Sequence, residues 1–231
     1  MSGMRINVLE YFERTTLPGS PNKVAVVDGD RTLTVKDVEV LAKRTAVTIV
    51  GRGGWTNRPV AVFLPKGADV VIADLGIAYS GNIYVNLGVK SPARRLKRLL
   101  DNIAPELVIA SAETRAALAE AGADPDRIVL IEDAAAGGVA YDSAALLARL
   151  DGLIDTDPLC IINTSGSTGQ QKSVVLNHRG FIDFTDWAVE RLGIGEDEII
   201  GSLAPVFFDI YSFELCLLLA RGATIVFIPD K

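Results

Sequence analysis

Histidine and cysteine are nearly missing from this sequence: His178 stands alone, and the two thiols, Cys160 and Cys216, lie far apart with no CxxC partner. One imidazole excludes a multi-histidine metal site. Two isolated thiols inside aliphatic runs read as core residues of a reducing compartment, not as a redox or zinc centre. Long hydrophobic runs are absent too: none reaches membrane-spanning length, and the N-terminal MSGMRINVLEYFERTT carries Glu10 and Glu13 where a secretory signal needs an unbroken apolar stretch. The expected location is therefore cytoplasmic, with no membrane partner. Positive charge is in short supply: 23 Lys and Arg against 29 Asp and Glu leave a net charge of −6, which repels a nucleic-acid backbone. Repeats and low-complexity tracts are absent. What remains is a chain of 231 residues, 49% hydrophobic, with mean hydropathy +0.29, long enough and apolar enough for a large core.

Short β-branched runs alternate with helical patterns. KVAVVD (Lys23 to Asp28), RPVAVFL (Arg58 to Leu64), ELVIA (Glu106 to Ala110) and RIVLI (Arg127 to Ile131) read as buried strands. Behind Thr34 as N-cap, Val38, Leu41, Ala42, Thr45 and Ile49 recur at helical spacing, and Ser91 with Pro92 opens a helix carrying Leu96, Leu99 and Leu100. The alternation predicts an α/β protein with mainly parallel sheets flanked by helices. The Gly/Ala-rich segment Glu132 to Ser143 lacks either periodicity and is expected to be a loop, which divides the chain into a first α/β subdomain over 1–150 and a second, beginning with a hairpin, over 151–231. A helix follows from about Arg179, with Phe181, Phe184, Ala188 and Leu192 on its apolar face, then a buried helix around SFELCLLLA and a strand, ATIVFI.

The segment TSGSTGQQKS, Thr164 to Ser173, carries the chemistry. Thr164, Ser165, Ser167 and Thr168 supply hydroxyls, Gly166 and Gly169 permit close backbone approach, and Lys172 supplies charge, a set suited to a polyphosphate. A Walker A loop, and so a P-loop nucleotide hydrolase, fits the spacing from Gly166. It lacks the glycine before the lysine, and SVVLN after Lys172 is strand-like where a Walker loop opens a helix. The alternative is a hairpin that folds over the phosphates.

TSGSTGQQKSV closely resembles the TSG[ST]TGxPKGV motif of the AMP-forming adenylating enzymes: acyl-CoA synthetases, luciferases and nonribosomal peptide synthetase adenylation domains. Four further segments resemble that superfamily in the same order: RTLTVKDVEVLAKRTA, GNIYVNLGVKSPARRLKRLL, LNHRG and FFDIYSFELCLLLARGATIVF. The resemblance implies attack of a carboxylate on the α-phosphorus of ATP, release of pyrophosphate, and transfer of the acyl group to a thiol, on a carrier protein's phosphopantetheine or on CoA. Thr164, Ser165, Gly166, Ser167, Thr168, Gly169 and Lys172 would hold the phosphates. Gln171 and Ser173 depart from the motif's proline and glycine, Asn86 and Gly88 from a proline and an aspartate, and Tyr211 from a serine.

By the same resemblance, Asp209 would pair with the α-ammonium of an amino-acid substrate, and Ile210 and Phe213 would line a pocket for a neutral side chain. The alternative for Asp209 as a bare residue is to cap the apolar helix. His178 is expected to make a structural hydrogen bond, and Arg94, Arg95, Lys97 and Arg98 a solvated helix face. The family's Mg2+-binding glutamate, ribose aspartate and C-terminal adenylation lysine are not found, so the resemblance is to an N-terminal portion, one expected to be inactive alone and to self-associate through uncovered apolar surface. A non-catalytic binding protein derived from the same fold is the other reading.

Overall fold

The computed structural model describes residues 5–136, 142–165 and 171–229. α1 (Leu9–Tyr11), a π-helical turn (Phe12–Thr16) and α2 (Leu17–Gly19) form one helical segment that buries Leu9, Tyr11 and Phe12. β1 (Val24–Asp28) and β2 (Arg31–Thr34) pair antiparallel around Gly29, whose φ of +56° suits a residue without a Cβ. Thr34 then caps α3 (Val35–Arg52) as the sequence predicts: its hydroxyl accepts from the Asp37 N–H at 3.1 Å, and the Asp37 carboxylate accepts from the Thr34 N–H at 2.9 Å.

From there strands and helices alternate: β3 (Pro59–Phe63), α4 (Ala68–Tyr79), β4 (Ile83–Asn86), α5 (Ala93–Ile103), β5 (Leu107–Ala110), α6 (Arg115–Glu120), β6 (Ile128–Leu130), α7 (Ile131–Ala136) and α8 (Ser143–Leu150). β7 (Pro158–Ser165), β8 (Gln171–Asn177), α9 (His178–Leu192), β9 (Ile199–Ser202), α10 (Asp209–Arg221) and β10 (Thr224–Phe227) complete the order. The strands make two sheets, β2-β1-β10-β9 and β6-β5-β3-β4-β7-β8, parallel throughout except for the β1/β2 and β7/β8 pairs. Both sheets draw strands from either side of residue 150.

Alternation along β3 separates two cores. Val60 and Val62 pack with Val71 and Leu75 of α4, while Ala61 and Phe63 pack with Leu96 and Leu99 of α5. The large sheet is thus covered on both faces, as the α/β reading requires.

Two expectations change. Residues 132–136, placed in a loop by their composition, form α7 together with Ile131, which the sequence assigns to the preceding strand: the run of alanines has high helix propensity, Glu132 and Asp133 sit in its first turn, and Ala134 and Ala135 are buried. On α9 the buried face is Phe181, Ile182, Thr185, Ala188 and Val189, whereas Phe184 and Leu192 are exposed. Apolar spacing alone does not separate a core face from a cavity wall one position around the helix.

One charged cluster joins distant segments. Lys43, 1% exposed on α3, pairs with Glu13 and Glu39, both at 2.8 Å, and donates to the Ser143 hydroxyl of α8 at 2.9 Å.

Candidate functional site

β7 and β8 are joined by the glycine-rich segment. Asn163 faces Ser173, Thr164 faces Lys172 and Ser165 faces Gln171; Gly166, Ser167, Thr168 and Gly169 fall outside the described residues. Thr164 and Lys172 are exposed, and the Thr164 hydroxyl donates to the Lys172 carbonyl at 3.4 Å. Lys172 therefore stands in an antiparallel strand, with no helix beginning behind it. The Walker A reading fails on this point, since such a loop uses a helix N-terminus to hold phosphate. Ser173, a departure from the glycine of the motif, fits a regular strand: its hydroxyl donates to Asn163 Oδ1 at 2.8 Å and accepts from Asn102 Nδ2 at 3.1 Å.

β8 runs from Lys172 to Leu176 and Asn177, four and five residues on, or about 13–17 Å along an extended strand. There it becomes the wall of a cavity of about 480 Å3, closed on other sides by Phe181 and Phe184 of α9 and by Asp209, Ile210 and Phe213 of α10. The three residues that resemblance assigns to a substrate line this cavity together. Its walls are mainly apolar, and Phe184 meets Phe213 edge-on at 4.9 Å.

Asp209 is exposed in the first turn of α10, and its Oδ1 accepts from the Ile210 N–H at 2.9 Å. No ion pair to it occurs among the described residues. An aspartate flanked by so apolar a sequence would be costly to bury unpaired, but Asp209 stays in water at the cavity mouth, at the positive end of a helix.

His178 lies at the start of α9, 4% exposed, and its Nδ1 accepts from the Val8 N–H at 3.3 Å. Burial pushes its pKa down to about 4, with Asp157 opposing weakly, so the ring is neutral and structural near pH 7. Arg94, Arg95, Lys97 and Arg98 occupy the exposed side of α5, opposite buried Leu96 and Leu99. Cys160 and Cys216 are buried free thiols whose pKa values burial pushes up to about 12.

Sequence reasoning missed one polar cluster. Asp74, on the otherwise apolar α4, is fully buried, and its Oδ2 accepts from Asn86 Nδ2 at 2.9 Å. Its one signal was a lone aspartate in VVIADLGIAY, which a linear reading gives to the solvent side. Among the described residues no group of three or more His, Cys, Asp or Glu is placed to hold a metal ion.

A family model described as "AMP-binding enzyme" matches residues 13–231. The chain belongs to this AMP-binding enzyme family. It is 32% identical over 221 residues to the probable nonribosomal peptide synthetase CymA of Salinispora arenicola, covering 96% of this chain and 2% of CymA. It is 27% identical over 213 residues to an L-proline--[L-prolyl-carrier protein] ligase of Pseudomonas fluorescens, covering 91% of this chain and 43% of the ligase. Among solved structures, the nonribosomal peptide synthetase FmoA3 bound to alpha-methyl-L-serine-AMP superposes with a TM-score of 0.82 at 23% identity, over 97% of this chain and 24% of FmoA3. The chain thus spans less than half the length of these relatives.

Proposed function

We propose that this AMP-binding chain holds ATP and an amino acid for an AMP-forming ligase of the cytoplasm. A carboxylate oxygen of the substrate attacks the α-phosphorus, the bond from that phosphorus to the bridging oxygen breaks, and pyrophosphate leaves with the electron pair. A thiol then attacks the acyl carbon and releases AMP. The relative whose name states a prolyl-carrier protein supports a carrier-bound thiol over CoA as acceptor.

The observation that carries this reading is one strand, β8, which links Lys172 to the apolar cavity bordered by Asp209, Ile210 and Phe213. Lys172 and the hydroxyls of Thr164 and Ser165, with Gly166, Ser167, Thr168 and Gly169 between them, would offset charge gathering on the departing pyrophosphate. Asp209 would pair with the α-ammonium, a charge-assisted contact strengthened as substrate excludes water. Ile210 and Phe213 would select a neutral side chain. Mg2+, bound with ATP, would neutralise phosphate charge.

The test is ATP–pyrophosphate exchange on the full-length protein across a panel of carboxylates. Amino acids with neutral side chains should support exchange, and its absence with every carboxylate would overturn the reading. Exposed Val175, Phe184, Trp187 and Leu192 further support self-association of the 231-residue chain, which a monomer by light scattering at high concentration would refute.

A further inference from the structure

The N-terminal helical segment reaches both helices that wall the cavity. Toward α9 it makes a row of contacts. The Val8 N–H donates to His178 Nδ1 at 3.3 Å, and the Tyr11 hydroxyl donates to Asp186 Oδ1 at 2.5 Å, with the Ile182 carbonyl oxygen next at 3.4 Å. The Arg5 guanidinium lies 3.8 Å from Asp186 Oδ2 and covers the Tyr11 ring at 4.1 Å from its centroid, so Tyr11 is held on its face as well as at its tip. His178, Ile182 and Asp186 are spaced by four and form one stripe of α9. Phe181 and Phe184 stand in the same turns and border the cavity instead.

Toward α10 the contact is the Thr16 hydroxyl, which donates to the Leu219 carbonyl at 2.7 Å in a buried setting. Leu219 is in the last turn of α10, where carbonyls lack an intrahelical donor, so Thr16 supplies a bond the helix cannot make for itself. Phe12 is fully buried in the same apolar cluster as Leu215 and Leu219. The segment is anchored to the core through Glu13, which pairs with Lys43 of α3 at 2.8 Å and accepts from the Tyr79 hydroxyl of α4. Both partners are buried.

A local irregularity permits this geometry. Phe12–Thr16 is a π-helical turn, closed by the Leu17 N–H, which donates to the Phe12 carbonyl five residues back. In a regular α-helix Tyr11 and Thr16 would lie about 140° apart around the axis, at 3.6 residues per turn. A turn closed from i to i+5 brings residues five apart over one another. Tyr11 and Thr16 can therefore both meet the α9–α10 pair while Glu13 meets α3 and α4.

We propose that Tyr11 and Thr16 are positioning residues for the substrate pocket: the N-terminal helical segment is a strut, anchored on Lys43 and Tyr79, that sets the spacing of α9 and α10 and so the width of the cavity between them. Cutting either arm lets one wall shift against the other where Phe184 and Phe213 meet at 4.9 Å. Binding of the carboxylate then weakens and discrimination by side-chain size relaxes. Lys172, on β8, is not reached by either arm, so ATP binding holds. The link to substrate rests on the amino-acid reading above, but the bracing of α9 and α10 does not.

The test uses the full-length protein. Tyr11→Phe keeps the ring under Arg5 and removes the hydroxyl that reaches α9; Thr16→Val keeps the shape and removes the bond to α10. Loss of one such bond should speed hydrogen exchange about fivefold, at the 181–186 amides in Tyr11→Phe and at the 216–221 amides in Thr16→Val. In each variant the KM for the amino acid should rise about fivefold while the KM for ATP holds, and kcat/KM should shift toward larger neutral amino acids. Val129→Ala, a core truncation on β6 at the far edge of the large sheet, loses stability without touching either wall and should leave these ratios unchanged. If Tyr11→Phe does not fold, Asp186→Ala cuts the same bond from its exposed partner and carries the same expectation. A KM and size preference that match wild type, or that move equally in Val129→Ala, overturn the proposal, as does unchanged exchange in both arm variants. Faster exchange in those variants, in a protein that adenylates no carboxylate, would leave the strut standing and sink the amino-acid reading.

Discussion

Two buried groups titrate in opposition. The His178 pKa is lowered from 6.5 to about 4, so the unfolded chain takes up the proton first as pH falls, and stability declines from about pH 6.5 to 4 by about 3 kcal/mol. The Asp74 pKa is raised from 3.8 to about 8, so its contribution is full below about pH 4 and is lost as pH rises through 8. Between pH 4 and 6.5 the two slopes cancel. Urea unfolding across this range should show each arm only in the other's variant: His178→Gln should lose stability as pH rises, and Asp74→Asn should lose it as pH falls. Lys172 gives a functional counterpart. It is exposed on β8, so Lys172→Ala should leave the free energy of unfolding in urea within about 0.5 kcal/mol of wild type while pyrophosphate exchange falls at least tenfold. The phosphate segment was legible because glycine, hydroxyl and lysine residues adjoin in sequence. The Asp74–Asn86 pair was not, because its members come together only when α4 and β4 have packed.

At the scale of elements, capping and β-branched runs were the readable signals. Thr34→Ala would remove one half of the capping box and leave the Asp37 N–H of α3 without its partner, a cost of about 1 kcal/mol in thermal or urea unfolding. Thr34→Ser should recover most of it. The strands with long aliphatic runs, β1, β3, β5 and β10, stood out in the sequence. β9 did not, being four residues long and largely exposed, and β4 was recognised only within a family segment. α9 shows why spacing is an incomplete guide: Phe181 and Phe184 lie three residues apart on neighbouring faces, yet one fills the core and both border the cavity. What distinguishes them is the arrival of Phe213 from α10.

The whole molecule depends on contacts that span it. Lys43 is the clearest, since it neutralises Glu13 and Glu39 at the meeting of the N-terminal helical segment, α3 and α8. Lys43→Met should cost about 3 kcal/mol, because buried Glu39 would keep only Lys36 and half-buried Glu13 only the Tyr79 hydroxyl, around an apolar stem. Lys43→Met with Glu39→Gln should recover part of that loss, as a double-mutant cycle would measure. The two-sheet plan was legible only as a class. Alternation predicts parallel sheets, but it does not tell that β1 pairs with β10, Val26 beside Ile225. That pairing sets a schedule for synthesis. At about 5–20 residues per second, a ribosome that has released β1 needs on the order of 10–40 s to make the strand that completes its sheet. For that interval the β1–β2 hairpin waits with one edge unpaired, so a nascent-chain chaperone that covers exposed strands should matter more to the yield of this protein than to its final stability.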